Sequence, residues 1–246
     1  MFKAEISRIN EFTSIIDGVS RIVDEIVIET DSEGVRAKAL DRSHVSFIGF
    51  DLKVSFFDEY TITEPEKINV DMDQLYNVLK RAKKDDKLKI TTDNENNIIF
   101  TFIGESTRKF KIHQIDMEYT SPEPPEIDTI INELPVPFHI LKGTMDDIGM
   151  VGDKVNLQIT SNDLIFNAFG NFSDIETTYN HNEELDIENT VQSSYSIDFI
   201  NSVLKINKVS DTVLMSLSTD TPLLLYIVND DVNVNFLLAP RLEKDL

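Results

Sequence analysis

Parts of this chain occur twice. Asp86–Ile90 (DKLKI) returns as Asp211–Met215 (DTVLM), and Ile98–Phe100 (IIF) returns at the same offset as Leu223–Leu225 (LLL). Thr30–Leu40 (TDSEGVRAKAL) aligns with Ile159–Phe169 (ITSNDLIFNAF) at an offset only a few residues longer. Identities are few, but the apolar positions and their order coincide. A repeat that covers half the chain makes the two halves copies of one fold, and 246 residues are enough to give each copy its own core.

Each half mixes two helical patterns with many short strands. Phe12, Ile15, Ile16, Val19 and Ile22 follow helical spacing and form one buried stripe, with Asn10 as the expected N-cap. A second helix starts at Asp71, with Gln74 as its capping-box partner, and buries Met72, Leu75, Tyr76 and Leu79. In the second half the stripes are Phe138, Leu141, Met145 and Ile148, then Ile197, Ile200, Val203 and Leu204 behind a Ser196 cap. Alternating runs such as IVIET, VRAKAL, KLKITT and IIFTFI, bounded by polar turns such as DSEG and DNEN, read as strands with one covered face. The expected fold is α+β: two repeated domains of antiparallel sheets, each with two helices.

Between the halves lies a stretch rich in proline, with Pro122, Pro124, Pro125, Pro135 and Pro137 among the eight of the chain. Proline cannot continue a helix or donate within a central strand, so this segment is expected to be extended. The expected division is residues 1–113, a connector over 114–137, and residues 138–246.

Asp41-Arg42-Ser43-His44 raises the question of hydrolysis. Neighbours on an extended segment point to opposite faces, and triads are assembled from separate loops. No G-x-S-x-G accompanies the stretch, and no catalytic residue is expected. The four histidines are scattered and cysteine is absent, so neither a metal site nor a disulfide is expected. Asp93-Asn94-Glu95-Asn96 opens like a calcium loop but lacks the later Gly and Glu. With eight glycines in the chain, no phosphate cradle and no cofactor is expected. No apolar run reaches membrane-spanning length, and MFKAEISRIN lacks a signal-peptide core, so a cytoplasmic protein with no membrane partner is expected.

The formal charge of −21 argues against phosphate binding only on average. Asp71–Lys84 and Ser196–Lys208 are net positive, and Asn10–Arg21 and Phe138–Met150 only slightly negative. The acidity therefore lies almost wholly outside the helices. Two readings are open at this point: a hydrolase using Asp41 and His44, and a monomeric acidic interaction module.

The repeat, the connector, LDRSHV at Leu40–Val45, DTPLLL around Pro222 and the closing LAPRLE together resemble the sliding clamps of DNA replication, the proliferating cell nuclear antigen family, in archaeal form. The resemblance runs the length of the chain. It implies a non-enzymatic, pseudo-sixfold ring of three subunits around duplex DNA. Such a ring binds DNA without sequence preference, is opened by a loader of replication factor C type, and tethers DNA polymerase, flap nuclease and DNA ligase through short peptides. Localisation would be cytoplasmic and nucleoid-associated in an archaeon, or nuclear in a eukaryote.

By the same resemblance, Leu40, Ser43, His44, Val45, Pro124, Pro125, Pro222, Leu237, Ala239 and Pro240 form the pocket for partner peptides. Lys80, Arg81, Lys142, Lys205 and Lys208 face DNA. Arg108, Lys109, Phe110 and Lys111 on one edge strand, and Asp174, Ile175, Glu176 and Thr178 on another, join neighbouring subunits. The sequence departs from the family on the first helix, where Thr13, Ser14 and Ser20 stand in place of cations, and at Asp146 and Asp198. DNA contact is accordingly expected to be weak.

Overall fold

The computed structural model describes residues 1–117, 122–124, 127, 131–181, 185, 187 and 189–241, with the side chain of Asn132 excepted. The first repeat contains strands β1 (Phe2–Ile6), β2 (Glu25–Thr30), β3 (Gly34–Leu40), β4 (Ser46–Lys53), β5 (Glu59–Ile62), β6 (Glu66–Asp71), β7 (Lys87–Thr92), β8 (Asn97–Ile103) and β9 (Thr107–His113). Its helices are α1 (Ile9–Ser20) and α2 (Met72–Leu79). The second contains β10 (Ile131–Pro137), β11 (Lys154–Ile159), β12 (Asp163–Phe169), β13 (Asp174–Asn180), β14 (Val191–Ser196), β15 (Thr212–Leu217), β16 (Leu223–Val228) and β17 (Val232–Leu238), with α3 (Phe138–Ile148) and α4 (Ile197–Val203). Element for element the halves match. Among the described residues, β5, which extends the sheet beyond β1, and the short 3-10 turn at Val54–Phe56 have no counterpart.

Pairing is antiparallel throughout, in three sheets ordered β5-β1-β7-β8-β9, β10-β15-β16-β17-β4-β3-β2-β6 and β13-β12-β11-β14. The eight-stranded sheet crosses the boundary between the repeats, because β17 pairs with β4 from Val232–Leu52 to Leu238–Ser46. Beside this junction the Arg8 guanidinium donates to the Asp231 carboxylate (2.6 Å), which also accepts from the Ser55 hydroxyl (2.6 Å). Those two contacts hold the Asp231 carboxyl below the usual aspartate range.

The helices pack on one another, α1 on α2, α3 on α4, and α1 on α4 across the junction. Gly18 makes the last approach possible: a Cβ there would lie 2.5 Å from Ile206 Cγ1 and 3.3 Å from the Ser202 carbonyl oxygen. Every residue of the four expected stripes is buried except the half-buried Tyr76. One continuous core runs through both repeats.

Local departures have physical reasons. Helix α1 begins one residue before Asn10, with Arg8 at the N-cap position and no side-chain cap, while α2 is capped as expected by Asp71, whose Oδ1 accepts from the Gln74 amide at 2.8 Å. Ser196 stands at the N-cap of α4 without capping it. The end of the proline-rich stretch is strand β10, at the edge of its sheet, where a missing donor can face outward. No helix among the described residues is long and apolar enough to cross a membrane.

Candidate partner-docking site

On the outer face of the eight-stranded sheet the ladders line up four apolar side chains. Leu40 on β3 lies opposite Phe47 on β4, Phe47 opposite Leu237 on β17, and Leu237 opposite Leu224 on β16. At about 4.8 Å between strands, this row spans about 14 Å. It straddles the junction between the repeats. Phe47, Leu224 and Leu237 form a cluster apart from the main core, with Ile127 of the connector and Tyr226 packed against it. Burial raises the Tyr226 hydroxyl above the ordinary tyrosine value, with a smaller contribution from the nearby Glu133 charge. At the β3 end, Leu40 lines a hollow of about 140 Å3 with Val23 and Met117.

The segments bearing the other expected residues are tied to this row. The Ala239 amide donates to the Val45 carbonyl (2.8 Å), and the Arg241 amide to the Ser194 carbonyl (2.7 Å). The Arg241 guanidinium donates to Asp153 Oδ2 at 2.9 Å, so the turn carrying Ala239 and Pro240 is pinned at both ends. Lys38 Nζ donates to Glu123 Oε2 (3.0 Å), which holds the connector at Pro124 against β3. Pro222 directly precedes β16, two residues before Leu224. Pro125 lies outside the described residues. The sequence reading passed over Phe47, Leu224, Ile127 and Tyr226.

The loop at the head of the row answers the question posed by Asp41-Arg42-Ser43-His44. It is a turn and not an extended segment, with His44 in the left-handed region at φ 57°. The buried Asp41 carboxylate accepts from the Ser43 amide (2.8 Å) and hydroxyl (2.6 Å), the Val45 amide (2.8 Å), and the Ser46 amide (2.5 Å) and hydroxyl (3.1 Å). Burial pushes the Asp41 carboxyl upward, but the hydrogen bonds from Ser43 and Ser46 outweigh it and hold the group below its ordinary range. A carboxylate so engaged organises a loop. The His44 side chain is exposed, and its backbone amide donates to the Asp41 carbonyl (3.0 Å).

Of the cations on the helical side, Lys80 lies over the Tyr76 ring at 5.3 Å, and Lys142 is ion-paired with Asp146 one turn on. Arg81 and Lys208 are exposed and Lys205 half-buried. On α1, Ser14 is buried and, like Ser20, turns its hydroxyl back onto a helix carbonyl, at 2.8 and 3.0 Å. Among the described residues no group of three or more His, Asp or Glu side chains is placed to hold a metal ion.

Strands β9 and β13 are the outermost strands of their sheets. On β9 the exposed side chains are Thr107, Lys109, Lys111 and His113, and on β13 they are Asp174, Glu176, Thr178 and Asn180. Lys111 also pairs with Asp93 (3.5 Å) and Glu95 (3.3 Å). Phe110 and Ile175 turn to the covered side and are half-buried. Arg108 turns inward too: it is ion-paired with the buried Asp86, donates to the Arg81 carbonyl (2.7 Å) and lies over the Phe102 ring (5.2 Å). Its charge is spent within the chain.

The family model of the proliferating cell nuclear antigen N-terminal domain matches residues 1–123, and that of the C-terminal domain matches residues 136–241. The chain is 43% identical over 247 residues, covering 100% of both chains, to a DNA polymerase sliding clamp of Methanothermobacter thermautotrophicus. It is 44% identical, again over 100% of both chains, to a DNA polymerase sliding clamp of Methanobrevibacter smithii. The crystal structure of the antigen from Thermococcus kodakaraensis superposes with a TM-score of 0.91 at 27% identity, over 98% of this chain and 100% of that one. Two copies of one fold, fused through a shared sheet and matched over their length by these relatives, establish that the chain belongs to the proliferating cell nuclear antigen family, the sliding clamps of DNA polymerase.

Proposed function

We propose that three copies of this chain join head to tail into a ring around duplex DNA, and that the outer apolar row receives short peptides from polymerase, ligase, flap nuclease and a loader of replication factor C type. The protein acts without chemistry of its own. The observation that carries this reading is the junction between the repeats: β17 and β4 are joined, while their counterparts β9 and β13 stand at open sheet edges. Open edges are hazards unless they are paired. Cationic side chains on one edge and anionic ones on the other favour head-to-tail contact over like-with-like, and such contacts close into rings when the rotation allows.

The four helices, which hold little of the net charge of −21, face the phosphates, and the acidic sheets face outward. Lys80, Arg81, Lys205 and Lys208 supply a non-specific attraction that leaves the ring free to slide. Leu40, Val45, Leu237, Ala239 and Pro240, with Phe47 and Leu224 beneath, form the floor on which aromatic anchors of a partner seat. The first clamp domain is residues 1–113, and the second begins at β10 and not at 138, because Ile131–Pro137 pairs with β15 as a strand of that repeat; the link is correspondingly shorter than 114–137.

Protein loaded onto a nicked circular duplex should co-elute with it and be released when the circle is cut. Retention that ignores linearisation would mean that the protein binds DNA without encircling it.

A further inference from the structure

The junction within the chain has a counterpart between chains, and the ladders give its register. The backbone bond from the Asp41 amide to the Ser46 carbonyl in the β3–β4 turn corresponds to that from the Gly170 amide to the Ser173 carbonyl (3.0 Å each) in the β12–β13 turn. Leu40, opposite Phe47, then corresponds to Phe169, opposite Asp174. Leu224, opposite Leu237, corresponds to Ile99, opposite Lys111. Carrying over the β17–β4 register sets Lys111 of one copy against Asp174 of the next, and Lys109 against Glu176. The row that reads Leu40, Phe47, Leu237, Leu224 inside the chain reads Phe169, Asp174, Lys111, Ile99 across two copies.

Both ends of this second row are apolar and its middle is an ion pair. Beside it stands Phe172, the counterpart of Val45. Phe169 is 71% and Phe172 102% exposed, as the protruding residues of a short turn. The turn is firmly seated, since a Cβ at Gly170 would lie 2.6 Å from the Val151 carbonyl oxygen.

The junction inside the chain is already closed, yet Leu40 and Val45 remain 39% and 37% exposed beside it. Two phenylalanines held outward at the corresponding place, next to a strand edge, form an open apolar platform that a further molecule can cover. The repeat supplies the chemistry of that molecule, because the same positions in the first half floor the peptide row.

Resting on the reading that the chain forms a ring, we infer that Phe169 and Phe172 of one subunit, with Ile99 and Lys111 of the next, make a second peptide-docking platform at each subunit seam. It takes a segment with aromatic or aliphatic anchors on either side of a polar residue that faces the Lys111–Asp174 pair. The platform is incomplete in a single copy.

The test is 19F NMR of ring labelled with fluorophenylalanine, with the resonances of Phe169 and Phe172 assigned through Phe169→Leu and Phe172→Leu. The probe is a synthetic peptide with one glutamine, one aliphatic and two aromatic side chains. Both resonances should shift on titration, at higher peptide concentration than the first row requires. They should still shift when Leu237→Glu has disabled that row, and they should stop shifting in a Phe110→Ala variant that sediments as a monomer. In a ring that sediments near three times 28.1 kDa, resonances that ignore the peptide would overturn the platform and leave the ring standing. Shifts of equal size in the monomeric variant would overturn the contribution of the second subunit. A wild-type protein that sediments as a monomer would remove the ring and the platform together.

Discussion

Replacing Asp41 tests whether one carboxylate builds the loop at the head of the docking row. Ser46 is 2% exposed, so its amide cannot turn to water if the acceptor is lost, and the Val45 amide shares the same oxygen. Leaving a buried donor unsatisfied costs about 1–3 kcal/mol. With the buried Ser46 amide left unsatisfied and the part-buried bonds from Val45 and Ser43 lost, Asp41→Ala should lower stability by about 2–4 kcal/mol. Asp41→Asn keeps one carbonyl oxygen for the Val45 and Ser46 amides but not the oxygen that serves Ser43, and should cost about 2 kcal/mol. The pH dependence has a definite sign. The folded carboxyl lies below its ordinary value of 3.8, so its contribution is complete above that value and is lost as pH falls through the folded pKa. The gap between wild type and Asp41→Asn should be flat near neutrality and narrow only under strongly acid conditions. Urea unfolding at fixed protein concentration gives these differences, and titration with a clamp-binding peptide reads out the loop. An Asp41→Asn protein as stable as wild type at pH 7, with peptide affinity unchanged, would refute the role assigned to the carboxylate.

Changing Lys109 and Lys111 together to Glu should dissociate the ring, most readily at low salt, and adding Asp174→Lys with Glu176→Lys should restore it; sedimentation decides. Because exposed ion pairs are each worth only about 0–1 kcal/mol, Phe110→Ala should be the more damaging single change, and a variant that still sediments as a full trimer would place the interface elsewhere. Leu237→Glu or Pro240→Glu should weaken peptide binding by about 1–3 kcal/mol in calorimetric titration. Polymerase stimulation on linear primed DNA should fall as salt rises, and fall further with Lys80→Ala and Arg81→Ala.

The helical stripes were legible because each has one buried face, and so was the repeat, since its apolar positions survive where identities do not. The docking row was not. Phe47 and Leu224 sit in the runs VSFIGFDL and LLLYIV, which are apolar on both faces, so alternation could not say which residues face outward. Arg108 could have been placed correctly, because it shares strand parity with Phe110 and Ile112, whose apolar character marks the covered face. Counting Arg108 among the edge charges took no account of parity, and the structure turns it onto Asp86. The role of Asp41 was missed for a different reason: the stretch was read as extended, and five donors converge on the carboxylate only after the chain turns through the left-handed His44, a residue type enriched there but far from diagnostic.

Covalent continuity makes the two kinds of junction mechanically unequal. The one inside the chain combines a strand ladder, the Arg8–Asp231 contact, the seating of α1 at Gly18 and an unbroken polypeptide, and a chain cannot diffuse away from itself. The junction proposed between copies would have a ladder, some side-chain packing and ion pairs that solvent weakens. A hoop made of such links is stiff along each subunit and compliant only where subunits meet, so thermal gaping and any force from a loader are expressed there. A crosslink between Phe110 and Ile175 positions would therefore act as a latch on DNA entry, whereas one between β17 and β4 would change nothing that the chain does not already enforce.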